Sequence, residues 1–157
     1  MIPNDRAFNG KEFFEFSGKK YYRWYYLNFD RDYCFCFRII STKSNNKQGI
    51  TLHFADFKGN ILCNGRPMAI PKNKFGNYLF KADDIVNDEV SVSVQPREGR
   101  LFLGNASERG ELGIFTSGAF GCAFWIETIK NNHYRFHCND HEYDDDFDDL
   151  VFDLIIS

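Results

Sequence analysis

The sequence predicts an all-β fold, a jelly-roll-like antiparallel sandwich forming one domain over residues 1–157, and three observations predict it. Short apolar runs recur along the chain at a spacing of roughly 8 to 12 residues, with turn residues between them. Several of these runs alternate with period two, as where Val90, Val92 and Val94 are separated by Ser91 and Ser93, the pattern of a strand with one buried and one wet face. No stretch combines helical spacing with caps, and the best helical candidate is a single turn around Ala82 to Val86.

In chain order, Glu12 to Phe16 and Lys20 to Leu27 read as aromatic strands flanking Ser17-Gly18. Tyr33 to Ile40 and Ile50 to Phe57 are β-branched and aromatic runs separated by the polar segment STKSNNKQG, so a hairpin is predicted there. Asp56 to Asn60 supplies a tight turn into Ile61 to Cys63, because Gly59 adopts positive φ without penalty. After Val90 to Val94, Pro96 to Gly99 is read as a turn. Arg100 to Leu103, Gly113 to Thr116, Cys122 to Ile129, Tyr134 to Cys138 and Leu150 to Ile156 complete the strand set. About ten short strands must stack or close to hide their edges, which favours a sandwich over an open sheet.

Composition narrows the class. A chain of 157 residues with 43% hydrophobic and 18% aromatic residues supports a core of its own and is not disordered. No apolar run approaches the roughly 20 residues needed to span a bilayer, and the first residues show neither a basic start nor an apolar signal region. Five cysteines, Cys34, Cys36, Cys63, Cys122 and Cys138, are odd in number and lack metal-ligand spacing. Reduced structural thiols are expected, and with them a cytoplasmic or non-classically exported protein. His137 next to Cys138 is the one adjacent thiol–base pair, but strand neighbours face opposite sides.

The net charge of −3 is unevenly distributed. Residues 140–153 hold eight of the 22 acids and no Lys or Arg, leaving 14 acids against 19 bases elsewhere. The basic residues are scattered singly, so no nucleic-acid-binding stripe is formed. The acidic stretch is the most specific feature of the chain. Alternation in an extended segment sends Asp144, Asp146 and Asp148 to one side and Phe147 inward as an anchor. Several carboxylates converging on one point are what a hard cation such as Ca²⁺ requires. The alternative is an acidic hairpin loop that is merely solvated.

The run Asp140-His141-Glu142-Tyr143-Asp144-Asp145-Asp146-Phe147-Asp148-Asp149 resembles the calcium loop of the bacterial two-calcium fucose/mannose-binding lectins. There an acid is followed four residues on by a D-x-D-aromatic-N-D core and an apolar strand. The run is similar also to the D-x-D-F-N-D-L-V-F signature of calcium-binding β-sandwich domains of bacterial surface proteins. The resemblance covers about 20 residues near the C-terminal end and implies Asp140, Asp144, Asp146, Asp148 and Asp149 as calcium ligands, with Asp148 standing where those families carry Asn.

Tyr21 to Tyr26 is the densest aromatic stretch, and alternation puts Tyr22, Trp24 and Tyr26 on one face as a platform for ligand stacking; the competing reading is that they are core. No nucleophile elbow, phosphate loop or zinc-protease spacing occurs. The sequence therefore points to a non-enzymatic, calcium-dependent module that binds a carbohydrate or cell-surface ligand. The alternative is a protein-interaction or self-assembly sandwich, a homo-oligomer included, whose acidic loop is solvated.

Overall fold

The structure, a computed structural model, describes residues 12–68, 77–85, 89–108, 115–117, 122–140 and 146–157. Among them lie twelve strands and one short 3₁₀ turn, Ala82–Asp84, and every strand pairing is antiparallel. The all-β prediction holds. The strands are β1 Phe13–Phe16, β2 Lys19–Tyr22, β3 Tyr25–Asn28, β4 Tyr33–Thr42, β5 Gln48–Cys63 and β6 Arg66–Pro67. They continue with β7 Asn77–Lys81, β8 Glu89–Glu108, β9 Phe115–Ser117, β10 Ala123–Lys130, β11 His133–Asn139 and β12 Leu150–Ile156.

The main path runs β1-β2-β10-β11-β12-β4-β8-β5-β6, with β3 and β9 on β8 and β7 on β5. Two strands are far longer than the predicted short elements. β5 has 16 residues and β8 has 20, and they pair along their length from Gln48 opposite Ser107 to Cys63 opposite Val92. Midway the ladder slips between Ala55 and Gly59, where Asp56 (φ 51°), Gly59 (φ 147°) and Gly99 (φ 122°) take positive φ. A Cβ on Gly59 would stand 2.3 Å from the Gln95 carbonyl oxygen, and one on Gly99 would stand 2.8 Å from Phe57 Cα. Both glycines are required by close approach of backbone.

The two predicted turns, Asp56 to Asn60 and Pro96 to Gly99, are thus the two sides of one bend inside continuous strands. That bend folds the sheet over itself. One half of the β5–β8 ribbon continues the layer of β4, β12, β11, β10 and β2. The other half forms the facing layer with β3, β7 and β9. Inward residues of both halves, Phe35, Phe37, Val92, Phe124, Phe136 and Phe152 on one side and Ile50, Leu52, Leu101 and Leu103 on the other, belong to a single buried cluster. Tyr25 and Phe136 meet edge-on across the layers with ring centroids 5.9 Å apart.

The predicted hairpin of Tyr33 to Ile40 with Ile50 to Phe57 does not form. β8 stands between them, pairing with β4 through its first residues and with β5 along its length. The segment Lys43 to Lys47 crosses from one layer to the other. Similarly, Lys20 to Leu27 is two strands, because the chain leaves β10 after Tyr22 and joins β8 at Tyr25. The first half of the predicted strand Gly113 to Thr116, residues 113–114, lies outside the described residues, as does Val86 at the end of the predicted turn. Among the described residues no helix is long and apolar enough to cross a membrane.

Candidate functional site

The acidic segment is fixed by its apolar anchor. Phe147 is buried, takes φ 53°, packs on Tyr21 of β2 with ring centroids 4.8 Å apart, and donates its backbone N–H to Asn139 Oδ1 at 2.9 Å. Left-handed backbone at a non-glycine residue is unfavourable, so the ring contact and the hydrogen bond are what hold it. The backbone N–H of Asp140 donates to Asp149 Oδ2 at 2.9 Å, and Lys43 N–H donates to the Asp149 carbonyl at 3.2 Å. This zipper brings carboxylate oxygens of Asp146, Asp148 and Asp149 within 4.8 Å of one another.

Partial burial, and then the hydrogen bond and charge of Asp146, raise the Asp148 carboxyl above its ordinary range. Lys43 Nζ, 3.8 Å from Asp148 Oδ2, pulls the other way. Three crowded carboxylates fit a hard cation, which takes roughly six to eight oxygen ligands. Asp144 lies outside the described residues. Asp140 is not in the triad. Its side chain is buried on the inner side of the sandwich, where Oδ2 accepts from Ser44 Oγ, from Asn46 Nδ2 at 3.1 Å and from Gln48 Nε2 at 3.4 Å. Asp140 thereby fastens the layer-crossing segment to the end of β11.

The aromatic trio is divided. Tyr22 packs on Phe124 and Phe13. Trp24 lies against Gly104, where a Cβ would come within 2.9 Å of its ring. Tyr26, 44% exposed, meets Phe102 edge-on at 4.8 Å, and Arg100 and His53 pack on the same Phe102 ring. A strand break after Tyr22 removes the common face that unbroken alternation would have produced.

Tyr22 instead lines a groove of about 520 Å³ where β2 diverges from β10 beyond the single pair Tyr22–Phe124. The other walls are Lys19, Lys20, Tyr25, Trp125, Thr128 and Tyr134. Lys19 Nζ sits 4.0 Å over the Trp125 ring, which also stacks on His137 at 4.0 Å, and His137 Nε2 lies 3.0 Å from Glu127 Oε1. Burial raises the phenols of Tyr22 and Tyr25, so both remain protonated donors. Sequence reasoning missed Trp125 and Tyr134. The available signal was the shared parity of Trp125 with Glu127 on β10.

All five cysteines are free thiols. Burial pushes Cys138 well up, and Cys36 is raised to about 11 by burial and by Glu89, whereas the hydroxyl of Ser91 holds Cys34 below its usual value. Comparison with protein-family models, with curated proteins and with solved structures finds no match.

Proposed function

We propose that the protein is a non-enzymatic binding module that takes a carbohydrate in the groove between β2 and β10, with Ca²⁺ on Asp146, Asp148 and Asp149 supporting the groove wall. The observation that carries this reading is the Tyr21–Phe147 contact. It joins the acidic segment to the strand whose next residue, Tyr22, lines the groove. Aromatic side chains, phenolic donors and two lysines in one open cleft suit the apolar faces and hydroxyls of a sugar ring. Calcium would neutralise the acidic triad, fix Phe147 and so fix β2.

Glycan-array binding and calorimetry in CaCl₂ or chelator test the reading. Trp125→Ala and Tyr134→Ala should weaken binding about tenfold or more, equivalent to about 1.4 kcal/mol. Chelator should weaken binding and lower the melting temperature. A hundredfold excess of calcium over its Kd stabilises the fold by about 2.7 kcal/mol, and Mg²⁺ should do less because it holds its waters. No glycan bound in calcium buffer would end the carbohydrate reading. The second reading, protein association, draws on the opposite layer, where exposed Tyr26 with Phe102 and Trp24 forms an outward aromatic patch.

A further inference from the structure

One end of the sandwich interior is polar. On β5, Gln48 shares the inward side with Ile50 and Leu52; on β8, Asn105 shares it with Leu101 and Leu103. Gln48 stands opposite Ser107 and Asn105 opposite Ile50, so the two amides are diagonal neighbours on one face. Facing them is Asp140, which continues the inward series of Phe136 and Cys138 from β11. Gln48, Asn105 and Asp140 are exposed by 3%, 1% and 1%.

The hydrogen bonds at this end leave two carbonyl oxygens over. Gln48 Nε2 donates to the Asn46 carbonyl at 2.9 Å and to Asp140 at 3.4 Å, and Asn105 Nδ2 donates to the Asn139 carbonyl at 2.7 Å. Among the described residues, Gln48 Oε1 and Asn105 Oδ1 have no partner. Neither amide can be reversed to cure this. Reversal would set Gln48 Oε1 against a carbonyl and a carboxylate, and Asn105 Oδ1 against a carbonyl. A buried acceptor left unpaired is costly and calls for an explanation. A water molecule would supply two donors and would bring two lone pairs of its own, for which the second Nδ2 hydrogen of Asn105 is one donor. A cation needs acceptors only.

We propose that this buried polar cluster is a structural calcium site, separate from the acidic triad, in which Gln48 Oε1 and Asn105 Oδ1 are neutral ligands and the Asp140 carboxylate supplies charge. The mixture of carboxylate and amide oxygens is the donor set of a hard cation. Since Gln48 and Asn105 come from one layer and Asp140 from the other, the ion would lock the layers together at the end where Lys43 to Lys47 crosses. The proposal stands independently of the carbohydrate reading, because its readout is metal content.

The test uses the full chain carrying Asp146→Asn and Asp148→Asn, which disables the acidic triad. After gel filtration in trace calcium, elemental analysis should find about one Ca²⁺ per chain, and chelator should lower the melting temperature by several degrees. Adding Gln48→Leu should remove the ion and the chelator response, and adding Asn105→Leu instead should do the same. If both fail to fold, Tb³⁺ on the triad variant decides: a buried site leaves it without bound water, so its luminescence lifetime should be nearly equal in H₂O and D₂O, and a much longer lifetime in D₂O would overturn the proposal. A triad variant that holds no calcium and melts identically in both buffers would overturn the proposal and leave the two amide oxygens to water. So would calcium binding that neither leucine substitution alters.

Discussion

Asp153 and Asp140, both withdrawn from water, are treated differently by the chain. Asp153, on the outer side of β12, is neutralised from within. Arg135 directly opposite on β11 grips it with Nε at 2.7 Å and Nη2 at 3.1 Å, and His133 Nε2 lies 2.8 Å away. Burial pushes the Asp153 carboxyl up, but the bonds from Arg135 and His133 outweigh it and hold the group below its ordinary range. At the acidic end, Asp140 is held by a hydroxyl and two amides, and Asp148 is raised by burial and by Asp146. The first arrangement is complete as folded. The second would gain from an added cation.

The largest effect that separates the two should come from Arg135→Met. Removing one partner of a buried pair leaves a desolvated charge, and since the Arg135 side chain is about one-third exposed the loss should be about 2–4 kcal/mol in urea unfolding at neutral pH. Calcium should not restore it. A loss below about 0.5 kcal/mol would show that Asp153 needs no guanidinium and would erase the contrast.

An intermediate effect should appear on acidification. The folded Asp153 carboxyl lies below its unfolded value of about 3.9, so its stabilisation is present above that pH and is lost as the pH falls through the folded value. Wild type and Asp153→Asn should therefore differ in melting temperature at about pH 6 and converge as the pH falls below about 4. A constant gap across that window would refute the assignment.

The smallest effect should come from Asp148→Asn in chelator. A raised carboxyl disfavours its ionised form in the fold, so the neutral isostere should stabilise slightly at about pH 7, by a few tenths of a kcal/mol once solvent screening and the Lys43 contact are allowed for. In calcium the same change should destabilise. An identical sign in both buffers would mean that no ion visits the triad.

The sequence carried the strand inventory better than the pairing. Leu150–Ile156 has the bounds its apolar run predicts, and Val90, Val92 and Val94 are buried while Ser91 and Ser93 are less so. Pairing between β4 and β5 was wrongly anticipated because a polar segment between two strands has the same composition whether it reverses the chain or crosses between layers. Gly59 and Gly99 signalled positive φ correctly, yet positive φ serves a bulge as well as a reversing turn. At the acidic end, the inward Phe147 and the closeness of Asp146 to Asp148 agree with the alternation read from the sequence, but the left-handed turn at Phe147 (φ 53°) and the arrival of Asp149 beside them do not follow from it. The burial of Asp140 does not, since its partners Ser44, Asn46 and Gln48 lie 92 to 96 positions away.

Placement of β12 has a kinetic consequence. The strand fills the slot between β11 and β4, with Ile156 opposite Phe35 and Leu150 opposite Cys138. Until Leu150–Ile156 arrives, both flanking strands present unpaired backbone, and the aromatic rings of Phe37 and Phe136 lack the Phe152 ring that covers them. Closure by so distant a segment places the chain among slow folders, with half-times of about milliseconds to seconds. During that interval two open edges flanking an apolar trough are the point at which one molecule can insert its β12 into another.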